Sequence, residues 1–178
     1  MRVVGGTARG RKLTAPEGMD VRPTTDKVKE SVFNIIQFEV PGSDMLDLFA
    51  GSGQMGIEAL SKGAESAVFV DSSRKSLNVV KSNIDTVGFN DRAKLVMSDS
   101  IAFLGRTDEK FDIVFLDPPY HCGLINKAFE YLPRVLKDTS VVVCETKADE
   151  ELPETFGDFE IKKTYKYSAI KITLYRSK

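Results

Sequence analysis

The sequence predicts an α/β fold of the doubly wound, Rossmann-like kind, with a mainly parallel seven-stranded sheet that ends in an antiparallel hairpin. Three observations predict it. An apolar run, Leu46-Asp47-Leu48-Phe49-Ala50, enters the glycine-spaced loop Gly51-Ser52-Gly53-Gln54-Met55-Gly56 and continues into a helical pattern. Further short apolar runs alternate with stretches of helical periodicity, the mark of right-handed βαβ units whose parallel strands are covered on both faces. The rhythm then breaks: Phe159 to Lys166 and Ala169 to Tyr175 are two alternating, β-branched or aromatic runs with almost nothing between them, and they should pair antiparallel at a sheet edge.

Each element has its own signal. Residues 1–23 read as a short N-terminal extension or flexible hairpin standing apart from the core, with Arg2-Val3-Val4 and Lys12-Leu13 flanking glycines. Arg22-Pro23-Thr24-Thr25 supplies a helix start, because a threonine hydroxyl can accept from an orphan backbone N–H. Val28, Val32, Ile35 and Ile36 form one stripe, so a helix is expected over 24–40, ended by Pro41-Gly42. The catalytic core is expected over 44–178. Its first strand is Met45 to Phe49, followed by a helix from about Gln54 to Ser61 that Gly63 ends. The second is Ala67 to Val70, closed by Asp71. Apolar positions 77, 80, 84 and 87 give a helix from Arg74 that Gly88 ends. The third strand is Ala93 to Met97, with Ser98-Asp99-Ser100 behind it. The fourth is Asp112 to Leu116, the next helix is Leu124 to Leu136 with Pro133 breaking its last turn, and the fifth strand is Ser140 to Cys144.

A chain of 178 residues can bury one good core, so one domain and a monomer are expected. Hydrophobic residues at 42% and charged residues at 29% are globular values. No run is long enough to span a membrane, and the first residues lack the apolar centre of a secretory signal, so a cytoplasmic location is expected. Cys122 and Cys144 have neither the number nor the spacing of a zinc site or disulfide framework, and no metal is expected. The net charge of -1 hides an uneven distribution. Arg2, Arg9, Arg11 and Lys12 occur in the first twelve residues with no acid, and the last eighteen hold Lys162, Lys163, Lys166, Lys171, Arg176 and Lys178. Such ends could grip a polyanion, the glycine-spaced arginines as a phosphate-contacting arm, although scattered lysines fit a solvated surface as well.

On spacing alone the glycine loop is G-x-G-x-x-G, and Asp71 lies where a dinucleotide-binding ribose acid would, so a NAD-type oxidoreductase must be weighed. A second stretch argues against it. Ligands of an open parallel sheet bind beyond the carboxyl ends of the strands, and here four such ends carry an acid: Asp47, Asp71, Asp99 and Asp117. Any one of them alone reads as a helix cap. Together they suit a cationic sulfonium nucleoside, Asp71 taking ribose hydroxyls, Asp99 the adenine amine, and Asp47 orienting the loop and the methionyl end. Asp117-Pro118-Pro119-Tyr120 supplies the acceptor side. A nucleobase amine is flat with a delocalised lone pair, and it must be aligned before attacking a methyl group in line. The Asp117 carboxylate and Pro118 carbonyl can hold its two N–H bonds, the prolines fix the backbone, and Tyr120 can stack on an extruded base. The structural alternative is a Pro-Pro turn with a packed tyrosine. His121, the one histidine, could touch substrate but is not needed as a base, because the amine becomes acidic once methylated.

At this point the chain resembles a known family. Arg2-Val3-Val4-Gly5-Gly6 with Gly10-Arg11-Lys12-Leu13, Arg22 to Glu30 leading to Phe33-Asn34, the Asp47 to Gly56 loop, and Asp117 to Tyr120 are similar to the bacterial 16S ribosomal RNA guanine-N2 methyltransferases, over nearly the whole chain. The resemblance implies S-adenosylmethionine as methyl donor, S-adenosylhomocysteine as product, and one guanine of 16S RNA as acceptor; because the chain is small and near neutral and lacks a broad basic surface to shape a long RNA, the expected substrate is an assembled or partly assembled small subunit. By matching motif it implies that Asp47, Gly51, Gly53, Asp71 and Asp99, with Phe49, Ala50, Ser52, Ser72 and Ser100 beside them, bind cofactor. Asp117, Pro118, Pro119 and Tyr120 would hold the guanine, and Arg2, Arg9, Arg11 and Lys12 would touch RNA. Arg22, Thr24 and Asn34 fall in the family's extra N-terminal motif, over the methionine end. Two departures stand out: Gln54-Met55 replaces a small-apolar pair, and Ser168 stands where a glycine often follows the tyrosine of the last hairpin. Within the class the alternatives are an amine methyltransferase acting on DNA adenine or protein glutamine, since the acid-Pro-Pro-aromatic motif serves all three. Outside it stand the oxidoreductase and a non-enzymatic RNA-binding module.

Overall fold

In a computed structural model, residues 1–18 and 24–178 are described; Arg22 and Pro23 lie outside these residues. The elements run α1 (Asp26–Ile35), β1 (Asp44–Asp47), α2 (Gln54–Ser61), β2 (Ser66–Asp71), α3 (Arg74–Val87), β3 (Ala93–Met97), α4 (Ser100–Arg106), β4 (Phe111–Leu116), α5 (Leu124–Tyr131), β5 (Leu136–Lys147), β6 (Thr155–Phe156), β7 (Phe159–Tyr167) and β8 (Ile170–Ser177). They form one sheet of order β3-β2-β1-β4-β5-β8-β7-β6. The five strands β1 to β5 pair parallel, and β8 lies antiparallel on β5, opposing Ile172 to Glu145. After β3 the chain crosses to the far side of β1, so the strand order reverses between β1 and β4, where a doubly wound sheet opens a crevice at its carboxyl edge.

Several boundaries differ from the expectation, each for a local reason. The sheet has eight strands, not seven: Thr155 and Phe156 pair with Glu160 and Phe159 across the Gly157-Asp158 turn, a two-residue strand too short to leave a periodic signal. The helix expected over 24–40 runs only from Asp26 to Ile35. Thr25 is its cap, accepting from the Val28 N–H at 3.3 Å, and the Gln37 side chain takes the Asn34 carbonyl that a continuing helix would offer to residue 38. The helix expected to Leu136 splits into α5 and a 3-10 turn, Leu132–Val135, because Pro133 has no N–H to donate. The short helix α4 is an addition to the expected elements; Asp99 starts it, its carboxylate accepting from the Ala102 N–H at 2.8 Å.

Side chains alternate across a strand, so residue parity sorts the sheet into two faces. Met45, Ala67, Phe69, Ile113, Phe115, Val141 and Val143 point to one face, covered by α1, α2 and α3. Leu46, Val68, Val70, Val114, Leu116, Val142 and Cys144 point to the other, covered by α4 and α5. Gly56 packs α2 against this sheet so closely that a Cβ would lie 2.3 Å from the Phe69 ring.

The N-terminal segment does not stand apart from the core. Val3, Ala8 and Leu13 are buried in the same cluster as α1 and α2. Its backbone is stitched to α2: the Glu58 carboxylate accepts the N–H groups of Val4 and Gly5, the Ser61 hydroxyl donates to the Gly5 carbonyl at 2.6 Å, and the Ala8 N–H donates to Ser61 Oγ at 2.9 Å. The buried Lys29 ammonium donates to the Arg2 carbonyl at 2.5 Å. Desolvation raises the Glu58 pKa and lowers that of Lys29.

The β7–β8 connection explains the Ser168 departure. Tyr167 pairs with Ile170, leaving Ser168 and Ala169 as a two-residue turn with Ser168 at φ 53°. A positive φ at the first central position is where such turns carry glycine. A left-handed conformation costs a residue with a Cβ about 1–2 kcal/mol. Ser168→Gly is therefore expected to stabilise the protein by about 1 kcal/mol, read as a higher urea midpoint at unchanged slope.

Candidate active site

The parity that sorts the core also gathers the acids. Asp47 follows Met45, Asp71 follows Phe69, Asp117 follows Phe115 and Glu145 follows Val143, so all four carboxylates leave the strands toward the face covered by α1, α2 and α3, at the carboxyl edge beside the switch point. Asp99 stands outside this set: it is exposed, one carboxylate oxygen caps α4, and its neighbour Ser100 donates to the Leu48 carbonyl at 2.8 Å.

Asp47 is buried, and its carboxylate accepts the Gly56 N–H at 3.1 Å, tying β1 to the start of α2. Desolvation pushes its pKa up to about 7, and the charge of Asp71 adds to the rise. Asp71 is a brace: it accepts the Gly51 N–H at 3.0 Å through one oxygen and the Ser73 N–H at 2.8 Å through the other, fixing the glycine loop against the turn after β2. Gly53, at φ 77°, begins α2. Ser52 is held by its carbonyl, which accepts from Asn83, and the same Asn83 side chain brackets Thr14 through both its backbone groups. The Ala50 N–H donates to Val70 and Phe49 packs on the opposite core, while Ser72 is exposed. Gln54 Oε1 is buried with no hydrogen-bond donor among the described residues.

Asp117 has its pKa raised well above the carboxylate range by desolvation and then by the charges of Glu145 and Asp47. Glu145 lies outside the set of acids that the sequence pointed to. It is buried on β5, accepts the Thr24 hydroxyl at 3.1 Å and a hydrogen bond from Tyr120, and desolvation raises its pKa as well. Among the described residues no lysine, arginine or histidine forms an ion pair with Asp47, Asp117 or Glu145. Such a cluster, with an orphaned acceptor beside it, fits a cationic, donor-rich ligand.

Pro118 is buried, Pro119 is exposed, and the Tyr120 ring has the Lys147 ammonium 5.9 Å from its centre. His121 follows at φ 55°; its N–H donates to Glu150 at 3.4 Å and its imidazole lies 3.7 Å from Asp149. Cys122 donates to the Pro119 carbonyl at 2.7 Å, while burial pushes the Cys144 thiol up and keeps it inert. The structure brings Thr24 to this cluster but not Asn34, an exposed residue about 13 Å farther along α1 at 1.5 Å per residue. Of the N-terminal cations, Arg2 is paired with Asp26 at 2.8 Å; Arg9, Arg11 and Lys12 are exposed and meet no acid among the described residues.

A sheet reversing between β1 and β4, a glycine loop braced by Asp47 and Asp71, and an acid-Pro-Pro-aromatic stretch beyond β4 define the Rossmann-like methyltransferase fold. Solved structures agree. A protein of Escherichia coli provisionally described as the methyltransferase yhhF superposes with a TM-score of 0.90 at 32% identity, over 100% of this chain and 98% of that one. A Thermus thermophilus protein of undescribed function gives 0.85 at 26% identity, over 99% of each. The chain belongs to the family described as Conserved hypothetical protein 95, whose sequence profile matches residues 1–176. Relatives include the ribosomal RNA small subunit methyltransferase D of Haemophilus influenzae, 36% identical over 92% of this chain and 89% of that protein. The provisionally named rRNA methyltransferase YlbH of Bacillus subtilis is 40% identical over 100% of both.

Proposed function

We propose that this protein is an S-adenosylmethionine-dependent ribosomal RNA methyltransferase that modifies the exocyclic N2 amine of a guanine in 16S RNA, within an assembled or partly assembled small subunit. The observation that carries the reading is the buried carboxylate cluster at the switch point, unpaired by any cation among the described residues and joined to Asp117-Pro118-Pro119-Tyr120.

When bound, the cofactor supplies a sulfonium-activated methyl group. The chain's residues do the rest. The glycine loop admits its methionyl end, Asp47 offers a carboxylate beside the positive charge, and Asp71 keeps the loop in place. Asp117 and the Pro118 carbonyl would hold the two N–H bonds of the amine and turn its nitrogen lone pair toward the methyl group that the bound cofactor would supply. The amine then sheds its proton to solvent. Cofactor and substrate both supply positive charge or donors, which favour the ionised form of Asp117 against the desolvation that raises its pKa. Protonated, Asp117 would compete with the amine as a donor.

A NAD-type oxidoreductase is the competing class. Calorimetric titration separates the two: S-adenosylhomocysteine is expected to bind and NADH not, and binding of NADH alone overturns the reading. Loss of one small-subunit N2-methylguanine from cells lacking the gene, measured by mass spectrometry, tests the acceptor.

Asp71→Ala is expected to weaken S-adenosylhomocysteine by about 1–3 kcal/mol, since it loses both a ligand acceptor and the brace on Gly51. Asp99→Ala should fall at the lower end of that range, because one oxygen of this exposed carboxylate is spent on α4. Calorimetric affinities unchanged in both would reduce these acids to caps.

Replacing Arg9, Arg11 and Lys12 together by Ala should weaken RNA binding and lower the slope of log affinity against log salt by about 2, at roughly 0.7–0.9 per phosphate contact, with cofactor affinity unmoved. A wild-type slope would show that the arm touches no phosphate.

A further inference from the structure

The fold leaves a cavity of about 380 Å³ between the start of α1, the end of β5 and the β7–β8 turn. That volume lies in the range of small-ligand pockets. Its lining is drawn from Thr24, the start of α1, Tyr120, Glu145 and the β7–β8 turn rather than from the glycine loop. Its chemistry is graded. At depth lies the Glu145 carboxylate, 2% exposed and close enough to Asp117 for their charges to interact. Tyr120 and Tyr167, both half-buried, supply flat apolar walls. At the exposed rim stand Lys27 from α1 and Lys166 from β7, and neither meets a carboxylate among the described residues.

We propose that this cavity seats the target nucleotide, with Glu145 reading the base edge and Lys27 and Lys166 holding its phosphates. The proposal rests on the methyltransferase reading above and assigns the substrate contacts that reading leaves open. A nucleoside phosphate has the same gradient as the pocket: a base edge of donors at one end, an aromatic face in the middle and an anion at the other. Two ammonium groups reaching one rim from separate elements converge on an anion better than neighbours on one strand would. The base end selects guanine. Its N1–H and N2 amine present donors side by side; Glu145 in the lining, and Asp117 close enough to it for their charges to interact, present only acceptors once ionised. Adenine would set its N1 lone pair against a buried carboxylate and leave that group unsatisfied, which is how a polar pocket rejects an isostere strongly. The hydroxyls of Thr24 and Tyr120 occupy part of Glu145, but a carboxylate has about four lone-pair sites. The Tyr120 bond gives Glu145 a second effect, since it fixes the ring on which the base would rest.

The test uses the full chain loaded with S-adenosylhomocysteine and titrated calorimetrically with guanosine 5′-monophosphate, guanosine and adenosine 5′-monophosphate. In the wild type the guanine nucleotide is expected to bind about tenfold more tightly than guanosine and about tenfold more tightly than the adenine nucleotide. Lys27→Ala with Lys166→Ala should erase the first ratio and keep the second; Glu145→Gln should erase the second and keep the first. A cooperative urea transition and an unchanged far-UV circular dichroism spectrum in both variants verify that each is folded. A guanine nucleotide that does not bind, or ratios that survive both sets of substitutions, overturns the proposal. Methyl incorporation into small subunits from cells lacking the gene is measured in parallel. Incorporation with unmoved ratios sinks the pocket assignment alone, whereas the expected ratios with no incorporation leave a guanine-nucleotide pocket and sink the methyltransferase reading.

Discussion

Asp117→Ala is expected to slow single-turnover methyl transfer by roughly 10²–10³-fold at saturating cofactor and subunit, the scale of losing one preorganised electrostatic contact to a reacting group. Asp117→Asn should lose less. An amide oxygen still aligns one N–H of the amine, but it lacks the charge that favours a nitrogen becoming cationic as the methyl arrives. The order wild type, Asn, Ala therefore separates charge from alignment. Neither substitution removes a group from the adenosine side of the crevice, so S-adenosylhomocysteine affinity should stay near wild type. Single-turnover measurement isolates the chemical step from binding and release. An Ala variant as fast as the wild type would make Asp117-Pro118-Pro119-Tyr120 a structural turn.

Asp47→Asn should make the cofactor-free protein more stable, and more so at higher pH. Burial raises this carboxyl from 3.8 to about 7 in the folded state. Between those values the folded chain holds a proton that the unfolded chain has released, so this residue lowers stability progressively as pH rises through the window, and the deficit is complete above about 7. Each pH unit between the two values is worth about 1.4 kcal/mol, so, allowing for relaxation of the site, the substitution should gain about 2–4 kcal/mol at pH 8 and under about 0.5 kcal/mol at pH 4. Asn keeps an acceptor for the Gly56 N–H, so the packing of α2 on β1 is preserved. Urea unfolding of both proteins across pH 4 to 8 reads the effect; a constant difference over that range would show that Asp47 is not the source. The same substitution should cost affinity for the sulfonium cofactor.

The glycine loop, the alternating elements and the acids at the ends of the first four strands are legible in the sequence because each rests on local chemistry: a residue without a Cβ, a period, or an acid behind an apolar run. Glu145 has the same signal, an acid two positions beyond Val143 on the same face, but the apolar run that marks the fifth strand stops at Cys144. Its pairing with β8 carries the strand on to Lys147, and that pairing is set by a segment about 27 residues downstream, from Ile170 onward. Val3, Ala8 and Leu13 escape for a related reason. Separated by glycines, they have no period, and what buries them is the cluster they share with α1 and α2, whose Glu58 and Ser61 hold the segment's backbone from about fifty residues away. The reading of Asp99 as a cofactor contact competes with a cap on a helix of only seven residues, too short to announce itself. Asn34 matches a motif in sequence, yet the length of α1 carries it away from Thr24.

The attachment of the first fourteen residues to α1, α2 and α3 changes what a deletion would mean. Cutting the arm away would strand the Glu58 carboxylate and the Lys29 ammonium inside a core that had closed around their partners, and would uncover the apolar surface under Val3 and Leu13. The arm and the second helix are therefore expected to open as one unit, their amides exchanging with solvent together. Backbone held this way presents Arg9, Arg11 and Lys12 at a fixed bearing relative to the crevice, as a bracket would and a tether would not.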